Sequence, residues 1–297
     1  MEKIKVAIIA MGNIGRSVYD CILSSKDMSL SCIFVRSSLS QGINVSGVKV
    51  VHDLNEVTAD VAIITAPSRI SSEISQKLLL RGIACVDCFD IHSQINDVRK
   101  MLGSAAVKGN TSAITAAGWD PGTDSVIRTL MLAMSPNGIT YTNFGPGVSM
   151  GHTVCAKGKE GVEDALSLTY PKGEGLHRRI VYVKLKPGFT EEAVSAAIKS
   201  DAYFSSDETH VRAVSDIDSL KDLGHGVNIT RKASSGTAAN QLFSFDMRIN
   251  NPALTAQVMV SCARAVLRQR PGCYTMPEIP PLDYLYGDRE QLISKLV

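Results

Sequence analysis

Short, nearly continuous apolar runs alternate with stretches of helical spacing through the first 118 residues. The apolar runs fall at 4–10, 31–35, 48–51, 61–65, 83–85 and 112–115, and the helical stretches at 15–24, 71–80 and 94–102. A run without polar alternation predicts a strand buried on both faces, so this order predicts a parallel sheet covered by helices on either side. After Trp119 the texture changes. A helix predicted over 121–134 is followed by longer alternating strands at 138–143, 179–185, 226–232 and 243–249, with fewer helices between them. That pattern predicts a mixed sheet in a second domain, and the Gly/Ser/Lys-rich stretches at 172–178 and 233–239 read as surface loops. From Asn251 to about Arg268, Leu254, Val258, Cys262 and Val266 recur every four residues beside a second stripe of Met259, Ala263 and Leu267. So broad an apolar face predicts a helix packed into a core.

Composition narrows the class. A chain of 297 residues is long enough for about two domains. A formal net charge of +2 gives no ground for nucleic acid or an anionic membrane as partner. No apolar run reaches the ~20 residues needed to span a bilayer. The N-terminus leads directly into a strand pattern and lacks the apolar core and cleavage site of a signal peptide. Seven cysteines, an odd number mostly inside apolar segments, suit reduced thiols, so a cytoplasmic protein is expected. Cys85-Val86-Asp87-Cys88 is the one close pair. Zinc would require two further ligands at comparable spacing, which the sequence lacks, so these read as strand-end core thiols and no metal is expected.

Five constellations carry candidate chemistry. In Ala10-Met11-Gly12-Asn13-Ile14-Gly15, directly after the first strand, Gly12 lets backbone approach a pyrophosphate and Gly15 lets helix and strand pack closely. Ala10 stands where the usual fingerprint has its first glycine, and a purely structural turn is the competing reading. Its place at the very start of a βαβ unit favours the nucleotide, and predicts a Rossmann-type, doubly wound α/β sheet followed by an α+β mixed-sheet domain. Gly12, Asn13, Ile14 and Gly15, with Ala66-Pro67-Ser68 after the run at 61–65, are the candidate cofactor contacts. Some twenty residues on, where NAD would want an acid for its ribose hydroxyl, stand Arg36-Ser37-Ser38. A guanidinium and two hydroxyls suit a 2′-phosphate, so the cofactor predicted is NADP.

The third constellation, Asp87-Cys88-Phe89-Asp90-Ile91-His92, follows the strand at 83–85, at the edge where such sheets bind ligands. Asp90 is a candidate partner for a substrate ammonium, and His92 reads as a helix-entry or surface residue. The fourth, Gly118-Trp119-Asp120-Pro121-Gly122-Thr123-Asp124, places an acid before a proline at a helix start. Asp120 is therefore as much a candidate N-cap as a substrate contact, and Asn251-Pro252 poses the same ambiguity. Trp119 is equally core or ligand wall. In the fifth, Asn143-Phe144-Gly145-Pro146-Gly147-Val148-Ser149-Met150-Gly151-His152, three glycines leave backbone N–H groups able to receive a carboxylate, against a plain crossover loop. Arg179, beside His177, and His225 could serve a second carboxylate, although each alone is more often structural.

Taken together these segments resemble meso-diaminopimelate dehydrogenases nearly end to end, most specifically at 87–92, 118–122, 142–152 and Arg248-Ile249-Asn250-Asn251-Pro252. The resemblance implies NADP-dependent oxidation of the D-centre of meso-2,6-diaminopimelate to L-2-amino-6-oxopimelate, ammonia and NADPH. The reverse amination leads toward diaminopimelate and lysine. It implies a cytoplasmic homodimer with a dinucleotide domain over 1–118, completed by about 250–297, and a substrate-binding and dimerisation domain over 119–249. By it, Asp90 and Asp120 hold the reacting amino group, and backbone around Gly151 and the Ser149-Met150 turn holds the neighbouring carboxylate. Thr169, Arg179, His225 and Asn251 grip the distal L-centre, while Trp119 and Phe144 border the pocket. His152 is a candidate base for the hydrolytic step. The sequence departs from the family pattern at Ala10, at Ser37 where many members carry a second basic residue, at Phe144 where some carry Trp, and in a short loop before His177. Rival readings are a dehydrogenase of broader D-amino acids and a non-catalytic NADP-binding regulator. A reductase of a ring imine would call for a Lys/His-rich catalytic loop, which is not found.

Overall fold

Val6, Ala7, Ile8 and Ile9 are all fully buried, as an apolar run without alternation requires of a strand with helices on both faces. The computed structural model describes residues 3–36, 45, 47–220 and 224–297. It falls into two units, Met1–Thr129 with Pro252–Val297, and Leu130–Asn251. In the first, β1 (Ile4–Ile9), α1 (Asn13–Ser24), β2 (Met28–Phe34), β3 (Lys49–Val51), β4 (Val61–Ile64), α2 (Ser68–Leu80), β5 (Ala84–Asp87), α3 (Ile95–Lys108) and β6 (Ser112–Ile114) follow the predicted alternation. Then α4 (Thr123–Met134) carries the chain into the second unit.

The second unit holds β7 (Asn137–Phe144), β8 (Gly147–Val148), α5 (Met150–Lys157), β9 (Val162–Gly173), β10 (Leu176–Leu185), α6 (Glu191–Lys199), β11 (Glu208–Ala213), β12 (Gly224–Ser235) and β13 (Ala238–Asn250). The expected single mixed sheet is two sheets. One has the order β11-β10-β9-β8 and the other β13-β12-β7; β10 pairs β11 in parallel and every other pairing is antiparallel. The stretches at 172–178 and 233–239 are not loops but hairpin ends, with strand on both sides of Glu174-Gly175 and Gly236-Thr237. Their polar, small residues suit a tight turn, and long antiparallel strands extend into it. The segment 145–152 is likewise no plain crossover loop, since it contains β8 and the start of α5. Helix α6 carries a start signal that sequence reading passed over: the Thr190 hydroxyl accepts from Ala193 N–H at 3.3 Å, and Glu191 and Glu192 occupy the first turn, where acids complement the helix dipole.

The chain returns to the first unit through α7 (Asn251–Val266) and β14 (Gly272–Tyr274), and ends in α8 (Arg289–Leu296). The completed sheet has the order β14-β6-β5-β4-β1-β2-β3, parallel throughout. Successive residues of its strands feed two cores. Val6, Ile8, Ile33, Ile63 and Val86 pack with Val18 and Ile22 of α1 and Met259, Val260 and Ala263 of α7. Ala7, Ile9, Ile64 and Cys85 pack with Leu78 and Leu79 of α2 and Leu102 of α3 on the opposite face. Each such aliphatic side chain, removed from water, stabilises the unit by about 1.5–3 kcal/mol. Arg264 of α7 is buried and bonded through Nε to Asp27 Oδ2 at 2.5 Å. Leu267, expected on the buried stripe, lies one residue beyond the helix and is exposed.

Candidate active site

Strand order reverses at β1: β2 and β3 lie to one side, β4, β5, β6 and β14 to the other. Ligands of such sheets bind at the carboxyl edge where the order turns. That edge is tied together locally. Ala10 donates its N–H to Phe34 O at 2.9 Å, Thr65 donates its N–H to Ile9 O at 3.0 Å, and the Thr65 hydroxyl donates to Ala10 O at 2.8 Å. Ala10 adopts φ 78°, a conformation that costs a residue bearing a Cβ about 1–2 kcal/mol, and the bonds on either side hold it there. At Gly15 a Cβ would stand 2.4 Å from Ala10 O and 2.9 Å from Thr65 Oγ1, so only glycine lets α1 come this close to the turn. At Gly12 a Cβ would meet nothing within 4 Å. No side chain caps α1, and no acid sits in its first turn. Open space at Gly12 before an uncapped helix N-terminus fits a pyrophosphate, and Asn13, Ile14 and Gly15 form the first turn of that helix. Arg36 is exposed just past the end of β2. Ser37 and Ser38 lie outside the described residues. Ala66 is buried, Pro67 precedes α2 and Ser68 is its first residue.

Asp87, at the end of β5, shapes the next loop. Its buried carboxylate accepts from the Thr115 hydroxyl at 2.7 Å and from the N–H groups of Phe89 at 3.0 Å and Ala116 at 3.3 Å. Burial raises its pKa against those bonds. The loop so held leaves Asp90 exposed, and Ser68 locks it reciprocally: the Ser68 hydroxyl donates to Asp90 Oδ1 at 2.7 Å and accepts from Asp90 N–H at 3.1 Å. Ser68, expected at the cofactor, is thus bonded to the candidate ammonium partner.

Asp120 sits past β6. Because α4 begins at Thr123, Asp120 does not occupy the cap, nor Pro121 the first helical position. Backbone closes the helix start instead, with Thr123 N–H on Gly118 O at 3.0 Å and Asp124 N–H on Trp119 O at 3.1 Å. Trp119 is buried. The Asp120 side chain retains 15% of its exposure, and its Oδ1 lies 3.9 Å from Arg128 Nη2. The same nitrogen is 2.6 Å from Oδ2 of Asp124, a carboxyl with 0% exposure. Burial first, and then the charge of Asp90, raise the Asp120 pKa against the opposing pull of Asp124 and Arg128. The structure thus brings Asp90 and Asp120 within electrostatic reach of one another. It adds Asp124, which sequence reading did not single out although its spacing of four from Arg128 was visible.

In the second unit, Thr169 and Arg179 are direct partners across β9 and β10. Arg179 is buried, with Nε donating to Asp207 Oδ2 at 2.6 Å and Nη1 to Thr169 Oγ1 at 2.6 Å. Asp207 was not foreseen, since it lies outside any regular spacing and meets Arg179 only through the fold. His225, buried in β12, donates to the Gly147 carbonyl, and burial lowers its pKa to about 4 with the charges of Arg179 and His177 adding to the effect. Phe144 N–H donates to His177 Nε2 at 2.7 Å, and the two rings lie 5.4 Å apart. Met150 and Gly151 open α5, where first-turn N–H groups have no intrahelical acceptor. His152 follows in the same turn, with Nδ1 2.7 Å from Ser149 Oγ. Burial, and next the charge of Arg179, hold its pKa down to about 4 while the ring donates to the Tyr203 carbonyl. A neutral ring already donating must accept the Ser149 hydroxyl at Nδ1, which suits His152 to orienting Ser149 rather than to general-base work. Asn251 is the first residue of α7.

Known proteins resemble this chain over its length. Residues 118–178 match the family described as the diaminopimelic acid dehydrogenase C-terminal domain. A meso-diaminopimelate D-dehydrogenase of Bacteroides fragilis is 51% identical over 299 residues, covering 100% of both chains. Another, of Ureibacillus thermosphaericus, is 30% identical over 294 residues and 90% of each chain. Among solved structures, a DAP dehydrogenase of C. glutamicum in complex with DAP superposes with a TM-score of 0.91 at 26% identity, covering 100% of both chains. Half-identity along the entire length, together with a superposition that covers both chains fully, leaves one assignment: the chain belongs to the meso-diaminopimelate D-dehydrogenase family.

Proposed function

We propose that the chain catalyses the reversible NADP-dependent oxidation of the D-centre of meso-2,6-diaminopimelate, giving L-2-amino-6-oxopimelate, ammonia and NADPH, in diaminopimelate and lysine biosynthesis. The observation that carries this reading is the pair Asp90 and Asp120 at the carboxyl edge of a dinucleotide-type sheet, in a chain of this family. NADP would lie on Gly12, Asn13, Ile14 and Gly15, with Ala66, Pro67 and Ser68 beside it and Arg36, Ser37 and Ser38 toward the 2′-phosphate. Bound there, it supplies the carbon that accepts hydride. The protein orients the substrate and manages its protons. Asp90, held by Ser68, and Asp120, backed by Arg128, receive the D-centre ammonium, which must lose a proton before its carbon can release hydride. The first-turn N–H groups at Met150 and Gly151 suit the neighbouring carboxylate. Trp119 and Phe144 are further substrate contacts in this reading. Water then adds to the oxidised carbon and ammonia leaves.

Selection of one end of a meso compound demands a handed grip on the other. Arg179, Thr169, His225 and Asn251 supply it in this reading. Two guanidinium N–H groups of Arg179 hold Asp207 and Thr169, which fixes the plane in which the others meet a carboxylate. Separate stereoisomers test the assignment. Turnover is expected with meso-diaminopimelate, much slower turnover with the D,D form, whose far centre has the wrong hand, and none with L,L. Comparable rates for meso and L,L would end the D-centre reading.

Cofactor choice is tested at Arg36. Arg36→Ala should weaken NADP binding by about 1.5–3 kcal/mol, the scale of a charged hydrogen bond, and leave NAD binding nearly unchanged. Titration of both nucleotides by fluorescence at low ionic strength would decide, and equal losses would make Arg36 structural. We further infer a homodimer, supported by the exposed Ile139 of β7 and Leu242 of β13 on the two edge strands of the three-stranded sheet, with Leu130 and Met134 of α4 also exposed. Among the described residues no helix is long and apolar enough to cross a membrane. A cytoplasmic setting is the reading that the odd number of cysteines supports.

A further inference from the structure

An acid in the first turn of a helix ordinarily faces water, where it complements the helix dipole at little desolvation cost. Asp124 does the opposite. It stands in the first turn of α4 with no exposure, 2.6 Å from Arg128 Nη2, while that nitrogen also lies 3.9 Å from Asp120 Oδ1. One guanidinium therefore serves two carboxyls, and the exposed Asp90 adds a third acid within electrostatic range of Asp120. Asp120 Oδ1 is itself buried, and no group other than the Asp124 carboxyl is placed to donate to it. Two buried acids that approach the same cation and interact with each other cannot both ionise freely, so one proton belongs to the pair over a wide pH range. The side chain of Asp124 has no exposure and that of Asp120 keeps some, and their shared hydrogen bond raises the pKa of Asp124 while lowering that of Asp120, so Asp124 donates and Asp120 accepts.

The geometry points to Asp124 as a positioning residue of the reacting end, which takes over the proton that Asp120 removes from the substrate ammonium and then holds the Asp120 carboxylate through that proton. This rests on the reading that Asp120 receives that ammonium. The step balances as a proton relay. An N–H bond of the ammonium breaks, its electron pair stays on nitrogen, and an O–H bond forms on Asp120. That O–H then breaks as one forms on Asp124. The amine is left neutral, the pair gains one proton, and no oxidant is consumed before hydride leaves. The pair must first be fully ionised. Burial, and next the charge of Asp120, push Asp124 up to about 8, with Arg128 and the Ser125 N–H pulling the other way. Oxidation should therefore gain through that ionisation as pH rises.

The test is kcat/KM for meso-diaminopimelate with NADP, from neutral to alkaline pH, in the wild-type chain and in Asp124→Asn. Asparagine still donates a hydrogen bond to Asp120 but neither titrates nor accepts the proton. The wild type should show an ionisation near pH 8 that the variant lacks, with kcat lower by about tenfold and KM little changed. The same pH profile and kcat in both would overturn the proposal, because a merely structural Asp124 is replaced by Asn without loss. If Asp124→Asn does not fold, the wild type still decides. Its infrared spectrum should contain a protonated-carboxyl band that disappears as pH rises through about 8, and its absence overturns the proposal. Normal Asp124→Asn kinetics beside a crippled Asp120→Asn enzyme would remove this inference alone, whereas a wild type inactive on meso-diaminopimelate would remove the functional reading.

Discussion

Asp120→Asn is expected to lower kcat/KM for meso-diaminopimelate by about tenfold to hundredfold, the equivalent of one charged contact of about 1.5–3 kcal/mol, and to leave thermal stability in place. The amide keeps the shape of the carboxylate and removes its charge. Stability should hold because Asp120 caps nothing: α4 starts three residues later and closes on backbone carbonyls. Burial first, and then the charge of Asp90, disfavours an ionised Asp120, and burial first, then the charge of Asp120, disfavours an ionised Asp124; an uncharged amide at 120 removes these costs, so the melting temperature should stay put or rise. Asp90→Asn should behave alike in kinetics. The double variant should lose less than the two singles together, since neighbours sharing one partner are not additive. Steady-state NADPH formation and a thermal melt on the same preparations make the test. Normal kinetics for Asp120→Asn would leave the reacting amine to Asp90.

Arg179→Leu should affect both fold and function. Arg179 and Asp207 form an ion pair with side chains 10% and 16% exposed, and removal of one member leaves the other without its charge partner in a place with little water. The expected loss is about 3 kcal/mol or more of stability, seen as a lower thermal midpoint. Separately, loss of the guanidinium should raise KM for meso-diaminopimelate by about tenfold to hundredfold. The effect on kcat/KM should be much smaller for a D-amino acid such as D-leucine, which carries no distal carboxylate. The double variant Arg179→Leu with Asp207→Leu separates the two effects: stability should largely recover, because no lone charge remains, while the KM defect persists. An equal loss on both substrates would show that Arg179 holds the site together and does not address the distal carboxylate.

The sheet of the first unit was legible because its strands are buried on both faces. Continuous runs such as Val6-Ala7-Ile8-Ile9 and Val61-Ala62-Ile63-Ile64 have few alternatives to a parallel, helix-covered strand. The second unit was harder. Strands β9 and β11 mix charged and polar residues with short apolar stretches, since one side of each meets water, and pairing between distant segments decides where they begin and end. The hairpin ends at 174–175 and 236–237 looked like loops for the same reason.

The candidate site divides along a similar line. Positions set by contiguous residues were readable, as in the tight turn at Gly12 and Gly15, Arg36 just past its strand and Asp90 in the loop after another strand. Of these, Gly15 is demanded by local geometry, since a Cβ there would stand 2.4 Å from Ala10 O. The sequence by itself also left Asp120 undecided between helix cap and ligand contact, because Asp-Pro before a helix satisfies both descriptions. Only the tertiary structure moved it off the cap, by starting α4 at Thr123. Tertiary structure alone likewise joined Arg179 to Thr169 and Asp207, buried Asp124 beneath Asp120, and made His152 a neutral partner of Ser149. These are properties of charge and burial among segments far apart in sequence or turned inward by packing, and a pattern of residue types carries no record of which side chains lose their water.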